Sequence, residues 1–174
     1  MRPHLLRLPG LAVLLLLAGS ASGNGELWAD RGPSTPKERT RALRLVRQLE
    51  AEPLGAGAAE ARRWLALWLL DVPDLQVRYC AEVLGGDRGA RQRVRPELLA
   101  QIPWSGAAFL IENPDKKDLK AEVYAAGVLG TLRAYEALIR VKPEQRSPLL
   151  DDLVARRDAG SLAGYVAETS QACP

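Results

Sequence analysis

LKAEVYAAGVLGTLRAYEALIRV, residues 119–141, decides the fold. Plotted at 100° per residue, its polar residues Glu122, Arg133, Glu136 and Arg140 fall on a narrow strip. Most of the remaining circumference is apolar or small, including Val123, Ala126, Leu132, Tyr135 and Ile139. A helix with so little polar surface must be buried on most sides, so it belongs at the centre of its domain. Gly127 and Gly130 lie inside it, and each costs about 1 kcal/mol relative to alanine. Close approach of another helix at those two positions is the simplest compensation.

The flanking segments are helical as well. Upstream, Asn113-Pro114-Asp115 reads as a turn, with Asp115 or Asp118 expected to cap the long helix. Pro96 to about Ile111 forms a helical stretch, with a kink or break expected at Pro103. Leu75–Leu84 reads as a short helix carrying Cys80 and ended by Gly85-Gly86, and Asp71-Val72-Pro73-Asp74 is the break before it. Ala58 to Leu70 places Ala61, Trp64, Leu65, Trp68 and Leu69 on one face, with Arg62 and Arg63 on the other. The first helix starts at Thr35-Pro36-Lys37-Glu38, where Thr35 caps, Pro36 fits the first position and Glu38 completes a capping box. Leu45, Val46 and Leu49 form its buried stripe, and Pro53 stops it. Downstream, Ser147-Pro148 opens a helix with Leu149, Leu150, Leu153 and Val154 inward. Gly160-Ser161 restarts the chain as a last short helix through Tyr165 and Val166.

Composition agrees with an all-α fold. Among 174 residues, 30 Leu and 26 Ala stand against 14 Val plus Ile, and no stretch sustains a period of two. The expected architecture is an irregular bundle of six or seven helices around the long one. Residues 35–174 form a single domain in this reading, preceded by a flexible lead-in at 24–34.

Residues 1–23 read as a cleaved secretory signal peptide. Arg2, His4 and Arg7 make a basic start, Leu11–Ala18 is an unbroken apolar run, and Gly19-Ser20-Ala21-Ser22-Gly23 supplies small residues for cleavage. The apolar run is too short for a bilayer, which takes about 20 residues. Export to the periplasm or the exterior follows, with no further membrane span. The only histidine, His4, lies in that leader, so the mature chain is expected to hold none. That excludes Ser-His-Asp and Cys-His catalysis, histidine-ligated metals and an imidazole pH switch.

Removing Arg2 and Arg7 from the 24 basic residues leaves 22 against 21 acidic ones, a net charge of +1. A nearly neutral domain lacks the electrostatic footprint of a nucleic-acid binder. In an exported chain the two cysteines, Cys80 and Cys173, are expected to form one disulfide rather than a reactive thiol pair. There is no Cys-x-x-Cys motif and no histidine nearby to activate a thiol. No cofactor or metal site is expected, since no Gly-rich phosphate loop, Ser-x-x-Lys motif or calcium-loop pattern occurs.

Three features are candidate sites. Arg88, Arg91, Arg93 and Arg95 crowd one Gly-containing loop, and guanidinium forks suit phosphate or carboxylate, such as an anionic envelope component or an acidic protein. The bland alternative is a solvated loop in a chain where 19 of 24 basic residues are arginine. Trp64, Trp68 and Trp104 suggest an aromatic platform, but the helical face that Trp64 and Trp68 share with Leu65 and Leu69 makes core anchors the ordinary reading. The carboxylate pairs Asp71/Asp74, Asp115/Asp118 and Asp151/Asp152 could serve a glycosidase, yet all stand where helix starts want acids.

Several segments carry a resemblance. Glu60-Ala61-Arg62-Arg63-Trp64-Leu65, Val72-Pro73-Asp74, Ala108-Phe109-Leu110-Ile111-Glu112-Asn113-Pro114-Asp115 and Leu149–Gly160 together resemble small exported α-helical bacterial proteins of unknown function, of acidobacterial type. The resemblance spans about residues 35–173 and implies fold and export, with no catalytic or binding residues attached. Ala134-Tyr135-Glu136-Ala137-Leu138 and Pro143 are similar to the second helix of a tetratricopeptide repeat, without a second copy at 34 residues.

The expected function is therefore a non-catalytic interaction protein of the bacterial envelope, binding another protein or an anionic component. A helix-lined groove or the arginine loop would supply the contact. The alternatives are a small carboxylate-dependent hydrolase of cell-wall glycan and an isolated tetratricopeptide-like scaffold.

Overall fold

In a computed structural model that describes residues 31–85 and 94–173, the capping box at Thr35 opens the first helix, α1 (Pro36–Ala51). The Thr35 amide donates to Glu38 Oε2 at 2.8 Å and the Glu38 amide donates back to Thr35 Oγ1 at 3.3 Å. Among the described residues five longer α-helices follow: α2 (Ala58–Asp71), α3 (Gln101–Glu112), α4 (Lys120–Val141), α5 (Pro148–Asp158) and α6 (Leu162–Thr169). A single helical turn at Pro96–Leu99 and short 3₁₀ turns join them, and no strand occurs among the described residues. The architecture is all-α, as the composition requires.

The long helix α4 is central. It packs along α3 and also touches α1, α5 and α6. Eleven of its residues are buried, from Val123 to Leu138, and its exposed strip includes Arg133 and Arg140. The expected close approach falls on α3. A Cβ on Gly127 would stand 2.6 Å from the backbone oxygen of Ile102. One on Gly130 would overlap the Ser105 side chain and lie 2.6 Å from Glu50 Oε1.

Two hydrophobic clusters share this frame. Leu45, Val46, Leu49, Leu65, Trp68 and Trp104 bind α1, α2 and α3 together. Leu84, Ile102, Leu132, Tyr135, Leu150 and Val166 join α4 to α5, α6 and the neighbouring turns. Cys80 and Cys173 form the expected disulfide, with Cα atoms 5.6 Å apart, inside the second cluster.

Four local expectations are corrected. Leu75–Cys80 runs without helix, turn or bend, and only Glu82–Leu84 forms a 3₁₀ turn. The reason is tertiary: Leu75 is buried at one end, Cys80 is bonded at the other, and Val77 seats where Gly106 offers no Cβ. The break expected at Pro103 falls three residues earlier. The chain breaks at Ala100, which puts Pro103 in the first turn of α3, where a missing N–H is harmless. Asp71 and Asp74 do not cap a following helix, because none follows. Asp71 ends α2, while Asp74 accepts from the Ser34 amide and hydroxyl, both at 2.7 Å. Neither Asp115 nor Asp118 caps α4, whose cap position is Leu119 without a side-chain bond. Within the expected lead-in, Arg31 pairs with Glu38 and Asp71, so the chain is already tied to α1 and α2 there.

Candidate functional site

On α1 the buried positions Ala42, Leu45, Val46, Leu49 and Glu50 follow the i, i+3, i+4, i+7, i+8 rhythm of an apolar stripe. The last of them is a carboxylate, only 5% exposed. A buried charge needs partners, and three elements supply them. From α4, Arg133 donates through Nε to Glu50 Oε2 at 2.9 Å and through Nη2 to Oε1 at 2.8 Å. From α3, the Ser105 hydroxyl donates to Oε1 at 2.7 Å and itself accepts from Gln101 Nε2 at 3.0 Å. From α1 itself, Arg47 Nη1 donates at 3.0 Å. Arg47 also reaches Glu112 with its other nitrogen at 2.9 and 3.0 Å. Gly130 makes this possible, since any side chain there would occupy the space that Ser105 and Glu50 fill.

Burial alone would raise the Glu50 pKa, but the hydrogen bonds from Arg133 and Ser105 and the charge of Arg133 outweigh it. The net direction is downward, so the carboxylate stays ionised. Over this network opens a groove of about 630 Å³ between α1 and α4. Its lining includes the guanidinium groups of Arg47, Arg133, Arg140 and Arg146 and the carboxylates of Glu50 and Glu136. Glu136 is held by Arg157 in a two-nitrogen pair at 2.7 and 2.9 Å, and that contact keeps its pKa low. Four cations therefore face two carboxylates that are already engaged.

The arginines differ in what else they hold. Arg133 and Arg47 are about half exposed and complete the Glu50 network. Arg140 makes no hydrogen bond or ion pair among the described residues and is exposed. Arg146 is 63% exposed and meets Asp151 at 3.2 Å. Its position is set from the core: the Tyr135 hydroxyl, on a fully buried ring, donates to Asp151 Oδ1 at 2.7 Å and accepts from the Ser147 amide at 2.9 Å. That pair of bonds anchors the start of α5 on α4 and fixes the turn carrying Arg146.

The expected site residues are scattered. Arg88, Arg91 and Arg93 lie outside the described residues. Arg95 pairs with Glu97 at 2.9 Å and donates to Gln145 Oε1 at 3.3 Å. Trp68 and Trp104 are buried anchors. Trp64 stacks on Trp68 with centroids 5.3 Å apart, and Arg41 covers it at 4.4 Å. Asp71 and Asp74 hold Arg31 and Arg39, and Asp151 and Asp152 engage Tyr135 and Arg156. No groove carboxylate has the raised pKa that a general acid near neutrality needs. Cys80, Glu82 and Cys173 cluster closely, but the two sulfurs are bonded to each other and are not free as ligands.

Sequence reasoning missed Glu50, Ser105, Gln101 and the groove arginines. One signal was present: Glu50 stands four residues after Val46, on the apolar stripe of α1. No protein-family model, curated protein or solved structure matches this chain.

Proposed function

We propose that this chain is a non-catalytic binding module whose α1–α4 groove takes the anionic group of an acidic partner. The observation that carries the reading is the four-guanidinium groove lining, with its two carboxylates already neutralised by Arg133, Arg47 and Arg157. Guanidinium forks recognise carboxylate and phosphate with paired hydrogen bonds. Arg140 and Arg146 contact the ligand, while Arg133 and Arg47, held by Glu50 and Glu112, form the floor beneath them. In this reading the rigid Glu50 network keeps the floor from collapsing. The signal-like residues 1–23 and the disulfide support export to the bacterial envelope, where the partner is another protein or an anionic polymer. No helix among the described residues is long and apolar enough to cross a membrane.

Titration with an octaglutamate peptide and with inorganic pyrophosphate tests the proposal. Arg140→Gln/Arg146→Gln leaves the Glu50 network intact and should weaken binding by about five- to ten-fold at low salt. Raising the salt should erase most of the wild-type advantage. Equal binding by both proteins, or none by either, removes the groove from consideration. Turnover of cell-wall glycan by the wild type would instead favour the hydrolase reading.

A further inference from the structure

Away from that groove, the extended segment after α2 has an unusual combination of anchoring and vacancy. Leu75 is buried and Cys80 is bonded to Cys173, so both ends are fixed. Between them Val77 is pressed against α3, with its Cγ1 2.9 Å from where a Cβ on Gly106 would stand. Yet Gln76, Val77 and Arg78 make no backbone hydrogen bond among the described residues. A pinned, extended run with free N–H and C=O groups is a template for strand addition.

The same three residues edge a second groove, of about 350 Å³. Leu110, Val123 and Tyr124 form its apolar floor, and Arg78, Lys117 and Lys120 stand at its rim. No Asp or Glu among the described residues lines it. Lys120 donates to the Cys173 carbonyl, while Arg78 and Lys117 make no hydrogen bond or ion pair among the described residues. At this volume the groove has room for a few side chains.

We propose that this groove docks an extended acidic peptide, which pairs with the Gln76–Arg78 backbone and places a carboxylate among Arg78, Lys117 and Lys120. The observations select a peptide because an anionic amphiphile would satisfy floor and rim but leave the backbone of Gln76–Arg78 unpaired. The site is distinct from the α1–α4 groove and does not depend on it. The two lie towards opposite ends of α4, at Val123–Tyr124 and at Arg133–Arg140.

The test follows backbone amide shifts and hydrogen exchange in the oxidised chain during titration with acetyl-Val-Asp-Val-Asp. A neutral acetyl-Val-Asn-Val-Asn amide and sodium dodecanoate serve as comparisons. Saturating acidic peptide should slow amide exchange within Gln76–Arg78 by about ten-fold. The neutral peptide, and the Arg78→Gln/Lys117→Gln protein with the acidic one, should each bind about five-fold more weakly. The Arg140→Gln/Arg146→Gln protein should respond as wild type does, which separates this site from the first groove. Unchanged exchange at Gln76–Arg78 with peptide at about 5 mM overturns the proposal. So does a response lost in the Arg140→Gln/Arg146→Gln protein, or dodecanoate perturbing Leu110, Val123 and Tyr124 while the peptide does not.

Discussion

Replacing Gly130 by alanine puts a methyl group into space held by Ser105 and Glu50. Taken alone, the substitution favours the helix by about 1 kcal/mol, because glycine is the poorer helix former. The contacts reverse that sign. The new Cβ would overlap the Ser105 side chain and stand 2.6 Å from Glu50 Oε1, so α3 must withdraw or Ser105 must rotate. Overpacking of this kind costs about 1–3 kcal/mol. A rotated Ser105 also strips Glu50 of a 2.7 Å donor and Gln101 of its acceptor, adding about 1–3 kcal/mol. The expected net loss is about 1–5 kcal/mol, centred near 3. Gly164, on the exposed side of α6, is the internal control, since a Cβ there meets nothing within 4 Å. Gly164→Ala should gain up to about 1 kcal/mol. Urea unfolding of both variants, oxidised and at neutral pH, reads the difference as midpoint shifts of opposite sign, about 1 M or more for Gly130→Ala. A Gly130→Ala protein as stable as wild type would show that α3 and α4 do not approach this closely and that the Glu50 network is not built on that glycine.

Two further outcomes follow from the same geometry. The Glu50 pKa lies below its ordinary 4.5, because Arg133, Ser105 and Arg47 outweigh burial. The stability it contributes is therefore complete above that ordinary value and is lost as pH falls through the lowered folded-state value. Urea midpoints of the wild type should decline from about pH 5 downward, whereas Glu50→Gln should start lower at neutral pH and decline less steeply. Parallel acid profiles would refute a charge-held Glu50. The Cys80–Cys173 bridge closes a loop of 93 residues in sequence separation. Cys80→Ser/Cys173→Ser should lose about 4–5 kcal/mol by the loop-entropy argument, an upper figure. An unfolding midpoint unchanged from that of the oxidised wild type would show that the bridge does not constrain the unfolded chain.

The elements that were legible from the sequence are those whose signal is local. Thr35-Pro36-Lys37-Glu38 carries its own hydrogen-bond partners, so α1 starts where the motif says. The polar strip Glu122, Arg133, Glu136, Arg140 defines α4 because its narrowness needs no knowledge of the neighbours. The segment Leu75–Cys80 shows the opposite case. Its residues tolerate a helix, but a buried Leu75, a seated Val77 and a bonded Cys80 stretch it between fixed points. The capping role expected of Asp74 failed for a related reason: Asp74 finds Ser34 and Arg39 across 40 and 35 residues, contacts that no local pattern announces.

The sequence alone determined the helical class, the central helix with its two close-contact glycines, and the pairing of the two cysteines. Each rests on composition, periodicity or simple counting, which survive without coordinates. Only the tertiary structure decided where the polar chemistry gathers. Glu50, Ser105 and Arg133 come from α1, α3 and α4 and meet because Gly130 lets those helices close around one carboxylate. The second groove likewise exists only because Gly106 and the disulfide hold an extended chain against α3. Periodicity tells which face of a helix is buried; it does not tell which side chains from distant helices will meet there.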